Sequence, residues 1–131
     1  TFSDEGGNYP AGSYFRNPEG YRHAPYSENG CVLLVKFHQF QNDDHQHINV
    51  DTNSADWYVG CGNLTVMPLH DFAGESTSLV HWPAGEHFRP HVHNGGEEIY
   101  VLRGEFIDEH GRYPEGSWIR NPDMSGHCSP G

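Results

Sequence analysis

Positive charge is scarce in this chain of 131 residues: seven Lys and Arg stand against eighteen Asp and Glu, a formal net charge of -11 with neutral histidines. A surface of that sign repels a phosphate backbone, so nucleic acid is not expected as a partner. Long apolar runs are missing too. Without about eighteen consecutive apolar residues nothing is expected to span a membrane, and no charged-then-apolar amino terminus points to a signal peptide. Cysteine is limited to Cys31, Cys61 and Cys128, an odd count without Cys-x-x-Cys spacing. That pattern indicates neither a disulfide framework nor a zinc knuckle, and a reducing cytoplasm fits it best. Cys128 reads as a small buried apolar residue, as free cysteines commonly are.

Hydrophobic content is low at 34%, while sixteen glycines and nine prolines punctuate the sequence. Such a composition favours many short strands joined by turns over long helices, and the length fits one compact β domain. Strands are expected near Ser13 to Asn17, Cys31 to Phe40, Asn63 to Met67, Ser76 to Trp82, His87 to His93, Glu97 to Leu102 and Ser117 to Asn121. Cys31-Val32-Leu33-Leu34-Val35 and Thr77-Ser78-Leu79-Val80-His81-Trp82 have the β-branched, aromatic and leucine content of core strands. Antiparallel strands at this spacing imply a jelly-roll barrel.

What is present in quantity is histidine, eleven of them. Between Gly85 and Gly104 they form a pattern: His91, His93 and Glu97 make a His-x-His-x3-Glu array. Residues two apart on a strand share a face, so both imidazoles point the same way. Asn94-Gly95-Gly96 reads as a tight turn that returns Glu97 on the next strand. A lone His-x-His pair is more often surface decoration; the turn, the carboxylate at fixed offset and the framing glycines favour a metal site. Glu98 competes with Glu97, but only one of two adjacent strand residues points inward, and Glu97 is preferred. His127, after Arg120-Asn121-Pro122, is the fourth candidate. Imidazoles with one carboxylate suit a divalent Zn, Fe, Mn or Ni ion with open coordination positions.

A second pattern is an internal repeat, since Thr1 to Ser27 aligns without gaps onto Glu105 to Gly131. Phe2, Asp4, Glu5, Gly7, Tyr9, Pro10, Gly12, Ser13, Arg16, Asn17, Pro18 and His23 match Phe106, Asp108, Glu109, Gly111, Tyr113, Pro114, Gly116, Ser117, Arg120, Asn121, Pro122 and His127. His23 is therefore equivalent to His127 and is an alternative fourth ligand.

The run Gly-x5-His-x-His-x3-Glu-x6-Gly resembles the first sequence motif of the cupin superfamily. The stretch Asp108 to Pro122 further resembles the cupins of ChrR-type anti-sigma factors and related free-standing proteins. The resemblance implies an all-β jelly-roll barrel, the double-stranded β-helix, with metal ligands His91, His93, Glu97 and His127. The second cupin motif, Pro-x-Gly-x-x-His, is intact as Pro18 to His23, whereas Met124 replaces its glycine before His127. On this reading residues 1-40 are the back half of one cupin, 41-62 a linker, and 63-131 the front half of another. With no Met at position 1, a fragment or processed piece of a tandem cupin is expected, the alternative being a permuted or strand-exchanged protein.

The linker holds a decoy, His45-Gln46-His47 with Asp51, in which no Gly-Gly turn intervenes and Asn42-Asp43-Asp44 is turn chemistry. Trp57 and Tyr58 read as packing residues. Two functions fit. One is an enzyme whose metal activates O2 or polarises a diketone or sugar-like substrate, with His81, His87 and Arg89 as candidate acids or bases and Tyr100 as core. The other is a non-catalytic sensor or binding module resembling the anti-sigma cupins, although no His-x3-Cys-x2-Cys stretch of a zinc domain is present. Cupin barrels host many chemistries, so the resemblance alone does not choose. A small molecule in the barrel is expected as ligand. Unpaired strands of two incomplete halves predict a homodimer by strand exchange, Thr1 to Phe40 of one chain completing the barrel of the other.

Overall fold

The computed structural model describes residues 1–37, 40–87 and 96–122. Among them are eleven strands and no helix: β1 (Phe2–Asp4), β2 (Gly7–Tyr9), β3 (Ser13–Arg16), β4 (Ile48–Asp51), β5 (Tyr58–Val59), β6 (Thr65–Phe72), β7 (Glu75–His81), β8 (Glu97–Tyr100), β9 (Glu105–Asp108), β10 (Gly111–Pro114) and β11 (Trp118–Asn121). All ladders are antiparallel: β1 with β2, β3 with β4, β5 with β6 and β7, β8 with β11, and β9 with β10. The chain divides into two units, Thr1–Val59 with Thr65–His81, and Gly60–Leu64 with Trp82–Gly131.

Hairpins β1–β2 and β9–β10 are built alike. In β1 and β2, Phe2 pairs with Tyr9 and Asp4 with Gly7; in β9 and β10, Phe106 pairs with Tyr113 and Asp108 with Gly111. Each hairpin is tied at its tip by an Asp side chain, because a carboxylate two residues upstream can accept the turn's orphan N–H groups. Asp4 Oδ1 accepts from Gly6 N at 2.8 Å, and Asp108 Oδ1 from His110 N at 2.7 Å. A second turn follows, closed by Ser13 N to Pro10 O at 3.1 Å and Ser117 N to Pro114 O at 3.0 Å. Gly12 and Gly116 both take φ 89° there, the positive value that the third position of a type II turn demands.

The first unit's core is aromatic: Phe15 stacks on Phe2 and Tyr9 with centroids 5.5 and 4.7 Å apart, and Val66 and Met67 of β6 are buried. In the second unit Leu64 and Val101 are buried, and Trp82 meets the ring of Phe106 edge-on at 5.4 Å. Apolar burial of this kind is the principal stabilising term of each unit.

Three expectations need correction. Residues Cys31 to Phe37, read as a core strand, adopt no regular structure and are exposed: Val32 is 99% and Phe37 80% accessible. Composition signalled β propensity correctly, but pairing depends on an available edge, which composition does not report. The segment read as a linker contains β4 and β5, and β4 takes the edge of β3. Cys61 is disulfide-bonded, while Cys31 is a free exposed thiol. An odd cysteine count is compatible with one bridge and one spare thiol, so the count never excluded it, and the argument from thiols for a reducing compartment falls away. The short strands β1, β2, β4, β5, β9 and β10 went unread; in β1, β2 and β5 two or three residues are too few to display alternation.

Candidate metal centre

Of the four predicted ligands, Glu97 lies within the described residues; His91, His93 and His127 lie outside them, as does Arg89. Glu97 opens β8, opposite Asn121 of β11, and its Oε1 accepts from Asn121 Nδ2 at 3.0 Å. Alternation along β8 makes Glu97 and Ile99 half-buried, Glu98 and Tyr100 exposed. Glu98 pairs across the ladder with Arg120, Nε to Oε1 at 3.1 Å. The adjacent glutamates thus occupy opposite faces. Glu97 is the one with a neutral amide donor that orients its carboxylate, the outer-shell bond typical of a ligating group. A carboxylate so held suits the imidazole-rich donor set of a Zn, Fe, Mn or Ni ion. Among the described residues alone, no group of three His, Cys, Asp or Glu could hold a metal.

The other sequence candidates stand elsewhere. His81 ends β7, exposed, with its ring 6.5 Å from that of Trp57. His87 is exposed, and Tyr100, read as core, is on the outer face of β8. His47 of the decoy meets Tyr21 at a tilt, ring centroids 4.5 Å apart, and Tyr21 in turn contacts the ring of His23 at 5.5 Å.

His23 is held by a carboxylate. Its Nδ1 donates to Asp4 Oδ2 at 3.1 Å, while Tyr9 Oη donates to Asp4 Oδ1 at 3.1 Å. Burial of Asp4 works to raise its pKa, but the bonds from Gly6 N–H, His23 and Tyr9 outweigh it and hold the carboxyl below its ordinary range. The partner effect falls on Tyr9, whose hydroxyl is raised by burial and by the Asp4 charge. Tyr113 repeats this, raised by burial and by Asp108, to which its hydroxyl donates at 3.3 Å. The repeated Asp and Tyr were visible in sequence as matched positions; their mutual bond was not.

A second polar cluster in the first unit had no sequence signal. Asp44 Oδ2 accepts from Arg16 at 2.8 Å and from His70 Nε2 at 2.8 Å, and all three side chains are buried. The Arg16 guanidinium also lies 3.9 Å over the ring of Phe40, a cation–π contact. Burial pushes the Asp44 pKa up, yet the Arg16 and His70 bonds prevail and bring it from 3.8 to about 2.

Comparison with known families places these features. The ChrR cupin-like domain matches residues 1–41 and 45–130. The chain belongs to that family, and the jelly-roll fold comes with it. No curated protein and no solved structure matches the chain.

Proposed function

We propose that this chain is a metal-binding cupin, its divalent ion held by His91, His93, Glu97 and His127. The observation that carries the reading is Glu97: the carboxylate of the His-x-His-x3-Glu motif stands on the half-buried face of β8 and is oriented by Asn121. All four proposed ligands fall in the second unit. Bound there, the metal supplies a Lewis acid with open positions. Elemental analysis of protein purified without added metal tests the site. About one equivalent per chain is expected, with most of it lost in His91→Ala and His93→Ala, along with the stability that binding confers. Metal content unchanged in both variants overturns the assignment.

The open positions favour an oxygenase-like or small-molecule-converting enzyme; family membership favours a sensing or binding module. Oxygen uptake over a panel of small diketones separates them. Turnover that disappears in His93→Ala supports the enzyme, and tight binding without turnover supports the module.

Association belongs to the same proposal. The exposed apolar residues Val32, Leu33, Leu34, Val35 and Phe37 form the kind of patch that a partner covers. Strand exchange between two copies covers it, giving a homodimer. Light scattering that reads a monomer at every concentration rules this out.

A further inference from the structure

A groove of the first unit has no part in the proposed metal centre. Ser3, Asn8, Pro10, Tyr26, Glu28 and Asn29 line a volume of about 460 Å³, within the roughly 300–1,000 Å³ that small-molecule sites occupy. The backbone fixes its walls: Ser3 N donates to Tyr26 O at 2.8 Å and Tyr26 N to Ser3 O at 2.9 Å, which holds residue 26 against β1. Ser3 is buried, and its Oγ donates to Asn8 Oδ1 at 2.7 Å, which orients that amide. Tyr26 is 60% accessible. The lining belongs to the first copy alone, because the gap-free repeat puts Ile107 in place of Ser3 and Arg112 in place of Asn8, and Arg112 is paired with Glu105 at 2.9 Å.

The chemistry of the lining selects the ligand. Glu28 brings a negative charge and none of these residues is Lys or Arg, in a chain of net charge -11, so an anion is opposed. An apolar molecule would take Ser3, Asn8, Glu28 and Asn29 out of water and return no hydrogen bond. An ammonium ion suits Glu28 and the Tyr26 ring but has no acceptor for the amide N–H groups of Asn8 and Asn29. A sugar meets every group: its hydroxyls donate to the Glu28 carboxylate and accept from the two amides, while the C–H face of its ring matches the apolar surface of Tyr26 and Pro10. We infer that the groove binds a neutral sugar, its ring laid on Tyr26 and its hydroxyls bonded by Asn8, Glu28 and Asn29.

The test is saturation-transfer NMR on the whole chain, with methyl β-D-glucopyranoside, methyl β-D-galactopyranoside and methyl α-D-mannopyranoside as probes. Transfer to the ring C–H protons of at least one of them is expected. Tyr26→Ala keeps the backbone bonds to Ser3, and Glu28→Gln keeps the shape of the groove; each is expected to weaken binding about tenfold, in protein whose thermal melt matches the wild type. Trp118→Ala, which removes an exposed aromatic of the second unit, is expected to leave the affinity at the wild-type value. Chelation with EDTA is expected to leave it unchanged as well. Sugar binding that disappears with EDTA moves the ligand to the metal centre and overturns the inference while leaving the metal reading standing. Transfer to none of the three glycosides, wild-type affinity in Tyr26→Ala and Glu28→Gln, or transfer to tetramethylammonium in place of the sugars also overturns it.

Discussion

Arg16 and Arg120 are the same residue of the repeat, and the two units use them in opposite ways. Each stands on a strand that follows an Asp–Tyr hairpin and a type II turn. Arg16 is 6% accessible and locked to Asp44 beneath Phe40; the Arg120 side chain is 69% accessible and meets Glu98 at the surface. The difference comes from the strand opposite. In the first unit Arg16 faces Ile48 of β4, whereas in the second Arg120 faces Glu98 of β8. One hairpin scaffold therefore anchors a buried charge cluster in one copy and sets a candidate ligand carboxylate in the other. Specialisation lies in the partner strand, because the scaffold's own bonds are indifferent to it.

The sharpest break would come from the two histidines. His127→Ala is expected to weaken metal binding about 100-fold or more and His23→Ala to leave it unchanged, read by chelator competition. Reversed results would move the fourth ligand to the first copy. Next is the arginine pair itself. Arg16→Ala leaves the buried Asp44 with His70 but without its cationic partner and should lower the melting temperature on the order of 10 °C. Arg120→Ala removes an exposed pair and should shift it by about 2 °C or less. Equal shifts in a thermal melt would refute the contrast.

Acid should discriminate the units more gently. The folded Asp44 pKa, about 2, lies below its ordinary 3.8. Within that window the unfolded chain binds a proton that the folded chain does not, so the stabilisation is present above 3.8 and is lost as pH falls towards 2. Urea midpoints measured through the window should drop more steeply in wild type than in Asp44→Asn; parallel curves would deny the cluster its role. The smallest effect separates the two turn glycines. An Ala Cβ at either position is strained at φ 89°, but at position 12 it also meets Asn53 Nδ2 at 2.6 Å, and at position 116 nothing lies within 4 Å. Gly12→Ala should thus be less stable than Gly116→Ala by roughly 1 kcal/mol in urea titration, a typical cost for overpacking.

What the sequence disclosed follows from range. The Asp–Tyr hairpins and type II turns rest on bonds between residues two to five apart; the repeat displayed their Asp, Tyr, Pro and Gly as matched positions, although the strands they join went unread. β6 and β7 were foreshadowed by Asn63 to Met67 and Ser76 to Trp82, and they meet at Ala73 and Gly74, whose φ values of 49° and 88° suit a tight hairpin turn. The Asp44 cluster joins residues 28 and 26 positions apart, and no local pattern marks one carboxylate of Asn42-Asp43-Asp44 as buried. Of the proposed centre, the opposite facing of Glu97 and Glu98 was legible through strand alternation. The Asn121 bond was not, since it depends on the register of β8 against β11.

The exposed run from Cys31 to Phe37 sets the terms on which this protein can be handled. Val32 to Phe37 is a window of six residues with strong β propensity, one charge and no proline, the makeup of segments that stack into cross-β assemblies. Exposure of that window is expected to limit colloidal stability, seen first as turbidity in concentrated samples even with every bond of the two units intact, and a charged substitution at Leu34 would serve as its gatekeeper.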